Sequence, residues 1–391
     1  MDFPFAFDGV QMSPQFAKFR EQEPVARVVL PAGDPVWLVT RHADVRAVLS
    51  DQRFSRAAAE APGAPKLGPF SPSPQTMLGM DPPDHTRLRR MVSRAFTRTR
   101  LEELRPVMRA EAHRLLTAVL EREGQADLLA DFALPYSTTG IFELLGIPRA
   151  DSGPLHVWTP VLFNSRRADG GDPFEKLFAY LREVIADARR EDTPRGVIGA
   201  LLTAHDDEGR LTEDELIHMV LLLVTAGHRS TANAVTTILF HLLTRPGLAD
   251  RLREQPELVP QAIEEILRYN PFNSLGALPR VALADVELGG VTIRAGDTVL
   301  ASLGSANHDD DLFADPEIID IDRQNLNAHY AFGMGIHYCI GAPLARLEME
   351  EAIGHALRML PPTLRLAVPA EQVPISPLLV GYVVAALPAV W

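Results

Sequence analysis

The sequence predicts a mainly α fold with small β-sheets, a single domain over residues 1–391, and three observations carry that expectation. Apolar residues recur at three- and four-residue spacing over about 84–122, 174–190, 212–244, 256–270 and 341–359, the pattern of helices that bury one face. Strand-like runs are short and bounded by glycine and proline. The hydrophobic fraction, 46%, suffices for a large core, yet no uncharged run reaches the roughly 18 residues of a membrane span.

Taken in order, the N-terminal MDFPFAFDGVQMSPQF has neither the basic region nor the apolar stretch of a secretory leader, so a soluble, cytoplasmic protein is expected. VARVVL and VWLVT flank PAGDP and form a hairpin within about 25–40. The proline-rich APGAPKLGPFSPSPQ (61–75) is a long surface loop. Residues 85–101 hold Arg87, Arg89, Arg90, Arg94, Arg98 and Arg100 with no acidic residue. In a chain of net charge −13 nucleic acid is excluded as the main partner, but this local patch can dock an acidic one. The 212–244 helix opens with a capping box, Thr212 with Glu215. VELGGVTIRAGDTVLAS, within about 279–302, gives further short β-structure, and a β-hairpin closes the chain.

The chemistry concentrates in AFGMGIHYCIGAPLARLEME. Cys339 is the only cysteine, which rules out intramolecular disulfides and an all-cysteine metal site. Gly333, Gly335 and Gly341 let the backbone turn tightly and approach a flat object, and a helix starts directly after the thiol. A thiol at a helix N-terminus faces unpaired amides, so its thiolate form is favoured. On these residues alone it is a ligand for a soft or redox metal, a redox-sensing thiol or a nucleophile.

FGMGIHYCIG fits the haem-binding signature FGxGxHxCxG of the cytochrome P-450 superfamily at every defined position. The resemblance extends over nearly the whole chain and is greatest to the soluble actinobacterial enzymes that tailor antibiotics and other secondary metabolites. It implies a triangular helical prism with haem b between a distal helix (about 212–244) and the cysteine loop and helix (332–359). Cys339 is then the proximal thiolate on the haem iron. His85, Arg89, Arg280 and His337 match the residues that hold the haem propionates, and Glu265, Arg268 and Arg323 match a structural triad. The arginines of 87–100 fall where a ferredoxin docks to pass electrons from NAD(P)H and its reductase, with O₂ as co-substrate.

On the distal helix, TAGHRST matches the family's AGx(D/E)T(T/S) at Ala226 and Gly227, where small residues open an oxygen groove. Close helix packing is the other reason for a glycine there. Arg229 stands where the family has a carboxylate, and Ser230 where it has threonine; Thr231 is the next hydroxyl, about 100° further round the helix. A guanidinium keeps its charge and cannot relay a proton as a carboxylate does. Three readings are open: Arg229 in a salt bridge with Ser230 and water supplying protons, Arg229 or water holding a polar group of the substrate, or a peroxygenase. Carried over by position, Leu78, Leu222, Ala226, Leu275, Gly276 and Leu379 line the substrate pocket. The resemblance implies a monomeric monooxygenase that hydroxylates or epoxidises an apolar natural product, free or carrier-bound. Peroxygenase, oxidative coupling and haem-based sensing or carriage are the competing activities.

Overall fold

Polar residues at helix starts and glycine turns between short strands set the element boundaries of the computed structural model, which describes residues 3–5, 11–66, 74–94, 96–147, 173–193, 195–207, 211–271, 278–378 and 381–391. Among these residues the helices are α1 (Pro14–Gln22), α2 (His42–Ser50), α3 (Asp84–Ser93), α4 (Arg98–Leu120), α5 (Leu134–Leu145), α6 (Pro173–Arg190), α7 (Gly196–Leu202), α8 (Glu213–Thr244), α9 (Leu248–Glu254), α10 (Val259–Tyr269), α11 (Leu303–Ala306) and α12 (Ala342–Met359). The capping box holds: Thr212 N–H donates to Glu215 Oε2 at 2.9 Å, and Glu215 N–H to Thr212 Oγ1 at 3.2 Å. The helical stretch of 84–122 divides in two. Thr97 is extended and its hydroxyl accepts from the Arg100 amide, so a second helix starts there.

The strands are β1 (Val25–Val29), β2 (Pro35–Val39), β3 (Phe54–Ser55), β4 (Gln125–Asp127), β5 (Arg280–Ala282), β6 (Val286–Leu288), β7 (Val291–Ile293), β8 (Thr298–Ala301), β9 (Arg365–Leu366), β10 (Ile375–Leu378), β11 (Gly381–Val384) and β12 (Pro388–Val390). β1 and β2 pair as the expected hairpin, Val25 opposite Val39. β8 adds to β2 in parallel, Trp37 opposite Val299, giving the sheet order β1-β2-β8-β5-β3. That pairing joins segments some 260 residues apart, and no local pattern announces it. β6–β7 and the C-terminal β10–β11 are hairpins, and β4-β12-β9 form a small sheet.

The largest apolar core joins α4, α5, α8 and α12, with separate clusters beneath the five-stranded sheet and around α1. No described helix is long and apolar enough to cross a membrane. The Glu265, Arg268 and Arg323 side chains meet in the interior. Arg268 donates twice to the Glu265 carboxylate at 2.8 Å, and Arg323 Nε reaches both its oxygens at 3.2 Å. Both guanidiniums also take up backbone carbonyls, of Asn307 and Ile318 for Arg268 and of Ala314 for Arg323. A buried ion cluster holds only when its hydrogen bonds are satisfied. This one pins α10 to the segment that leads into the cysteine loop.

Candidate functional site

The cysteine loop is shaped by its glycines. Gly335 takes a left-handed φ of 72°, and a Cβ there would stand 2.4 Å from the Leu49 carbonyl of α2, so only glycine fits. The loop is then latched by Cys339 N–H donating to Phe332 O at 2.9 Å, just before α12 begins. Cys339 is exposed to solvent, although it lies deep within the protein body. That burial raises its thiol above the usual range, against the pull of the Gly341 and Ala342 amides and of Arg89 and Arg346. The desolvation of a sulfur without a cation outweighs the amides, and a bound metal would reverse that balance.

Across from α12, α8 is buried over nearly all its length. Between Glu215 and Thr244 only Ala226 and Ser230 are exposed. Two such residues one turn apart in an otherwise buried helix share one accessible strip of its surface. Ser230 Oγ donates to the Ala226 carbonyl at 2.6 Å, which leaves its lone pairs free to accept. Gly227 is half-buried, and its position answers to packing: an added Cβ would stand 2.7 Å from Ile141 Cδ1 of α5. The packing reason left open in the sequence is thus present in the structure. Arg229 is half-buried, burial lowers its pKa, and no charged group acts on it. Its Nε is buried without a partner, and the salt bridge expected in one reading is absent among the described residues.

The sequence-chosen propionate residues gather at one place. The His85 and His337 rings stand 4.4 Å apart, and both ring nitrogens of His85 and the Nε2 of His337 are buried without partners. Arg280 is buried with its Nε unpaired, and among the described residues its one hydrogen bond is to Phe54 O at 3.3 Å. Burial, then the neighbouring Arg280, His85, Arg56 and Arg89, push His337 down to about 2. Burial, then Arg56, push Arg280 down to about 10. Arg89 donates to the Tyr338 carbonyl at 2.5 Å, beside the cysteine. Asp81, the carboxylate that acts on this group, is already engaged by the Ser55 hydroxyl and the Arg56 amide. Orphaned donors and excess positive charge of this kind are what a buried dianionic group requires. An open cavity of about 490 Å³ adjoins them, bordered by Arg90, Arg94 and Ile336.

The family model for cytochrome P450 matches residues 139–365, and this thiol, distal helix and donor cluster lie within or against that span. Nocardicin C N-oxygenase of Nocardia uniformis subsp. tsuyamanensis is 44% identical over 95% of this chain and 92% of its own length. The chain belongs to the cytochrome P450 family. Mycinamicin IV hydroxylase/epoxidase of Micromonospora griseorubida is 41% identical over 93% of the chain and 91% of its own length. Among solved structures, HinD with NMFT and NO superposes with a TM-score of 0.92 at 39% identity, covering 100% of this chain and 99% of that one. The P450 family is defined by haem held by a cysteine thiolate and by reaction with O₂. The residues present fit that group: an accessible thiol at Cys339 and orphaned donors at His85, Arg280 and His337.

Against this P450 frame the other sequence expectations divide. Leu78 and Leu222 are half-buried and Ala226 is exposed, whereas Leu275, Gly276 and Leu379 lie outside the described residues. In the basic patch Arg90, Arg94 and Arg98 are exposed, and Arg100 is half-buried. Arg87 is not a free member, because Glu215 at the start of α8 takes its guanidinium, with Asp84 4.0 Å away. Three features were missed. Arg56 is fully buried, pairs with Glu60, and donates to the Leu78 and Pro279 carbonyls, fixing the wall beside Arg280. Its one sequence signal was Glu60 four residues on. Arg346 of α12 grips Glu264 of α10 at 2.7 and 2.8 Å, lies over the Phe332 ring, and donates to the Tyr338 hydroxyl, so it braces the cysteine loop from behind. Glu348, the third, occupies the apolar stripe of α12 between buried Leu344 and Ala352. An acid at that spacing was visible in the sequence.

Proposed function

We propose that this P450 is a soluble cytoplasmic monomer that takes electrons from a ferredoxin, supplied by NAD(P)H and its reductase, and hydroxylates or epoxidises a medium to large secondary metabolite. The substrate is mainly apolar and carries an anionic group. The observation that carries the monooxygenase reading is the accessible thiol with the orphaned donor cluster beside it. When haem is bound there, it supplies the oxygen activation. The chain's residues then hold its propionates from His85, Arg89, Arg280 and His337, and present Ala226 and Ser230 to the distal space.

Exposed Arg90 and Arg94, which border the same cavity as Ile336 of the cysteine loop, together with exposed Arg98, support docking of an acidic electron carrier. Without its electrons the same face has no evident use, which favours a monooxygenase over a peroxide-driven enzyme. Arg229 decides the substrate class. A half-buried guanidinium with no counter-ion among the described residues is costly, and an anionic substrate group supplies the missing partner. The curated relatives act, by their names, on nocardicin C and mycinamicin IV, one as an N-oxygenase and the other as a hydroxylase/epoxidase.

The test compares turnover driven by NADPH, reductase and ferredoxin with turnover driven by peroxide, across natural-product acids and their methyl esters. Ferredoxin-driven product and a haem spin-state shift induced by acids more strongly than by esters are expected. Peroxide-driven turnover alone would overturn the electron-donor reading. Equal shifts by acid and ester would overturn the role of Arg229.

A further inference from the structure

Two elements that carry the propionate donors, far apart in sequence, converge on one short stretch of chain, residues 54–57. The first is β5, which begins at Arg280. The Phe54 carbonyl accepts from the Arg280 guanidinium at 3.3 Å, and Ser55 stands opposite Val281 in the pairing of β3 with β5. The second is α3, which carries His85 and Arg89. Asp81, just before that helix, accepts the His85 amide on its backbone carbonyl at 3.0 Å. Its carboxylate turns the other way and accepts from the Ser55 hydroxyl, from the Arg56 amide at 2.9 Å and from the Ala57 amide at 3.3 Å.

At the centre of that stretch Arg56 is fully buried, which a cation tolerates only when it is paired and its donors are used. Its Nη2 donates to Glu60 Oε1 at 2.6 Å, its Nε to the Leu78 carbonyl at 3.2 Å, and its Nη1 to the Pro279 carbonyl. Pro279 directly precedes Arg280, so the stretch grips Arg280 from both ends. Arg56 holds the backbone before it, and Phe54 holds its guanidinium. Three acceptors in three directions match a rigid guanidinium fork, whereas an ammonium on a flexible stem cannot meet them in the same way. The buried charge also reaches the donors. After burial itself, Arg56 is the largest influence lowering Arg280, and it acts on His337 behind burial, Arg280 and His85. Glu60 balances that charge within the same buried pair, with Lys66 3.9 Å from its other oxygen.

We infer that Arg56 is a positioning residue of the propionate site: its guanidinium fixes where Arg280 stands, and its buried charge adds to the positive field that the site presents to the haem. The inference rests on the reading of His85, Arg89, Arg280 and His337 as the propionate donors. With its three nitrogens turned to protein acceptors, Arg56 acts through Arg280. Two consequences separate its geometry from its charge. Loss of the fork loosens Arg280 and speeds haem release, whatever charge remains. Loss of the positive charge disfavours the added electron and makes the ferric–ferrous midpoint potential more negative, whereas neutralising Glu60 does the opposite.

The test uses the purified holoprotein and needs neither substrate nor ferredoxin. Haem transfer to excess apomyoglobin is timed, and the midpoint potential is read by spectroelectrochemical titration. Arg56→Gln and Arg56→Lys should both release haem ~10-fold faster than wild type. Arg56→Lys, which keeps the charge, should retain the wild-type potential, while Arg56→Gln should shift it negative and Glu60→Gln positive. Structural loosening alone would move the last two in the same direction, so shifts of one sign would overturn the inference. Where Arg56→Gln fails to fold because Glu60 is left unpaired, the double variant with Glu60→Gln replaces it. That variant should lie negative of Glu60→Gln alone, and equal potentials would overturn the inference. Arg280→Gln separates this inference from the reading beneath it. Fast release from Arg280→Gln with wild-type release from both Arg56 variants would overturn the role of Arg56 alone. Wild-type release from Arg280→Gln would overturn the propionate reading and the role of Arg56 with it.

Discussion

Replacing Gly227 by alanine separates two reasons for a glycine in the middle of α8. The added methyl would stand 2.7 Å from Ile141 Cδ1 and 3.0 Å from its Cγ1, in a contact where Ile141 is 3% exposed. Overpacking of a buried contact costs about 1–3 kcal/mol. Alanine regains about 1 kcal/mol of helix propensity over glycine. Gly227→Ala should therefore destabilise by up to ~2 kcal/mol, the difference of the two. Ile141→Val removes Cδ1 alone and costs ~0.5–1.5 kcal/mol by itself. In that background the closest obstacle is gone, and Gly227→Ala should become neutral or stabilising. A double-mutant cycle in urea unfolding, followed by circular dichroism, should show a favourable coupling of about 1 kcal/mol. The same cost for Gly227→Ala in both backgrounds would refute the packing argument. Product yield in the double variant then settles the rest: if it is retained, packing was the whole requirement, and if it is lost, the cleft also needs the space.

Other outcomes follow from the same geometry. Glu265→Ala leaves two buried guanidiniums without their acceptor and should cost about 3–5 kcal/mol, read in the same unfolding assay; a loss below ~1 kcal/mol would mean the triad is not structural. Arg229→Glu should weaken the spin-state shift induced by anionic substrates at least ~10-fold, while neutral esters bind as before. Ser230→Ala should lower the fraction of electrons recovered as product, and unchanged recovery would show that protons do not pass this hydroxyl. Glu264 gives a pH signature: burial raises its carboxyl, but hydrogen bonds from Arg346 and His329 outweigh that and hold it at about 2. A depressed carboxylate stabilises fully above its unfolded pKa and loses that contribution as pH falls, here between about 4.5 and 2. In unfolding measurements the advantage of wild type over Glu264→Gln should shrink by roughly 3 kcal/mol across that window, and a constant difference would contradict the assignment.

What the sequence revealed was mostly local. The Thr212 capping box, the i, i+3 pair of Glu265 and Arg268, and the glycine-flanked Cys339 each declare themselves within a few residues. His85, Arg280, His337 and Arg323 came from resemblance, since separations of up to about 250 residues along the chain leave no periodic trace. The same holds for the parallel pairing of β2 with β8, for Arg346 with Glu264, and for Ile141 against Gly227. The boundary at 94–97 was hidden because basic residues continue on both sides of it, and only Thr97 marks the new start. Arg87 looked like part of a free patch until Glu215 came across from α8. The raised thiol of Cys339 shows a further limit: the helix-end amides are visible in sequence, whereas the depth of burial that outweighs them is not.

The central claim, that Cys339 is the thiolate ligand of haem, has one direct test. The reduced carbon-monoxide complex of the purified protein should show the strongly red-shifted Soret band of thiolate ligation, and Cys339→His should bind haem without that shift. A wild type lacking the shifted band, or a Cys339→His variant that keeps it, would contradict the assignment.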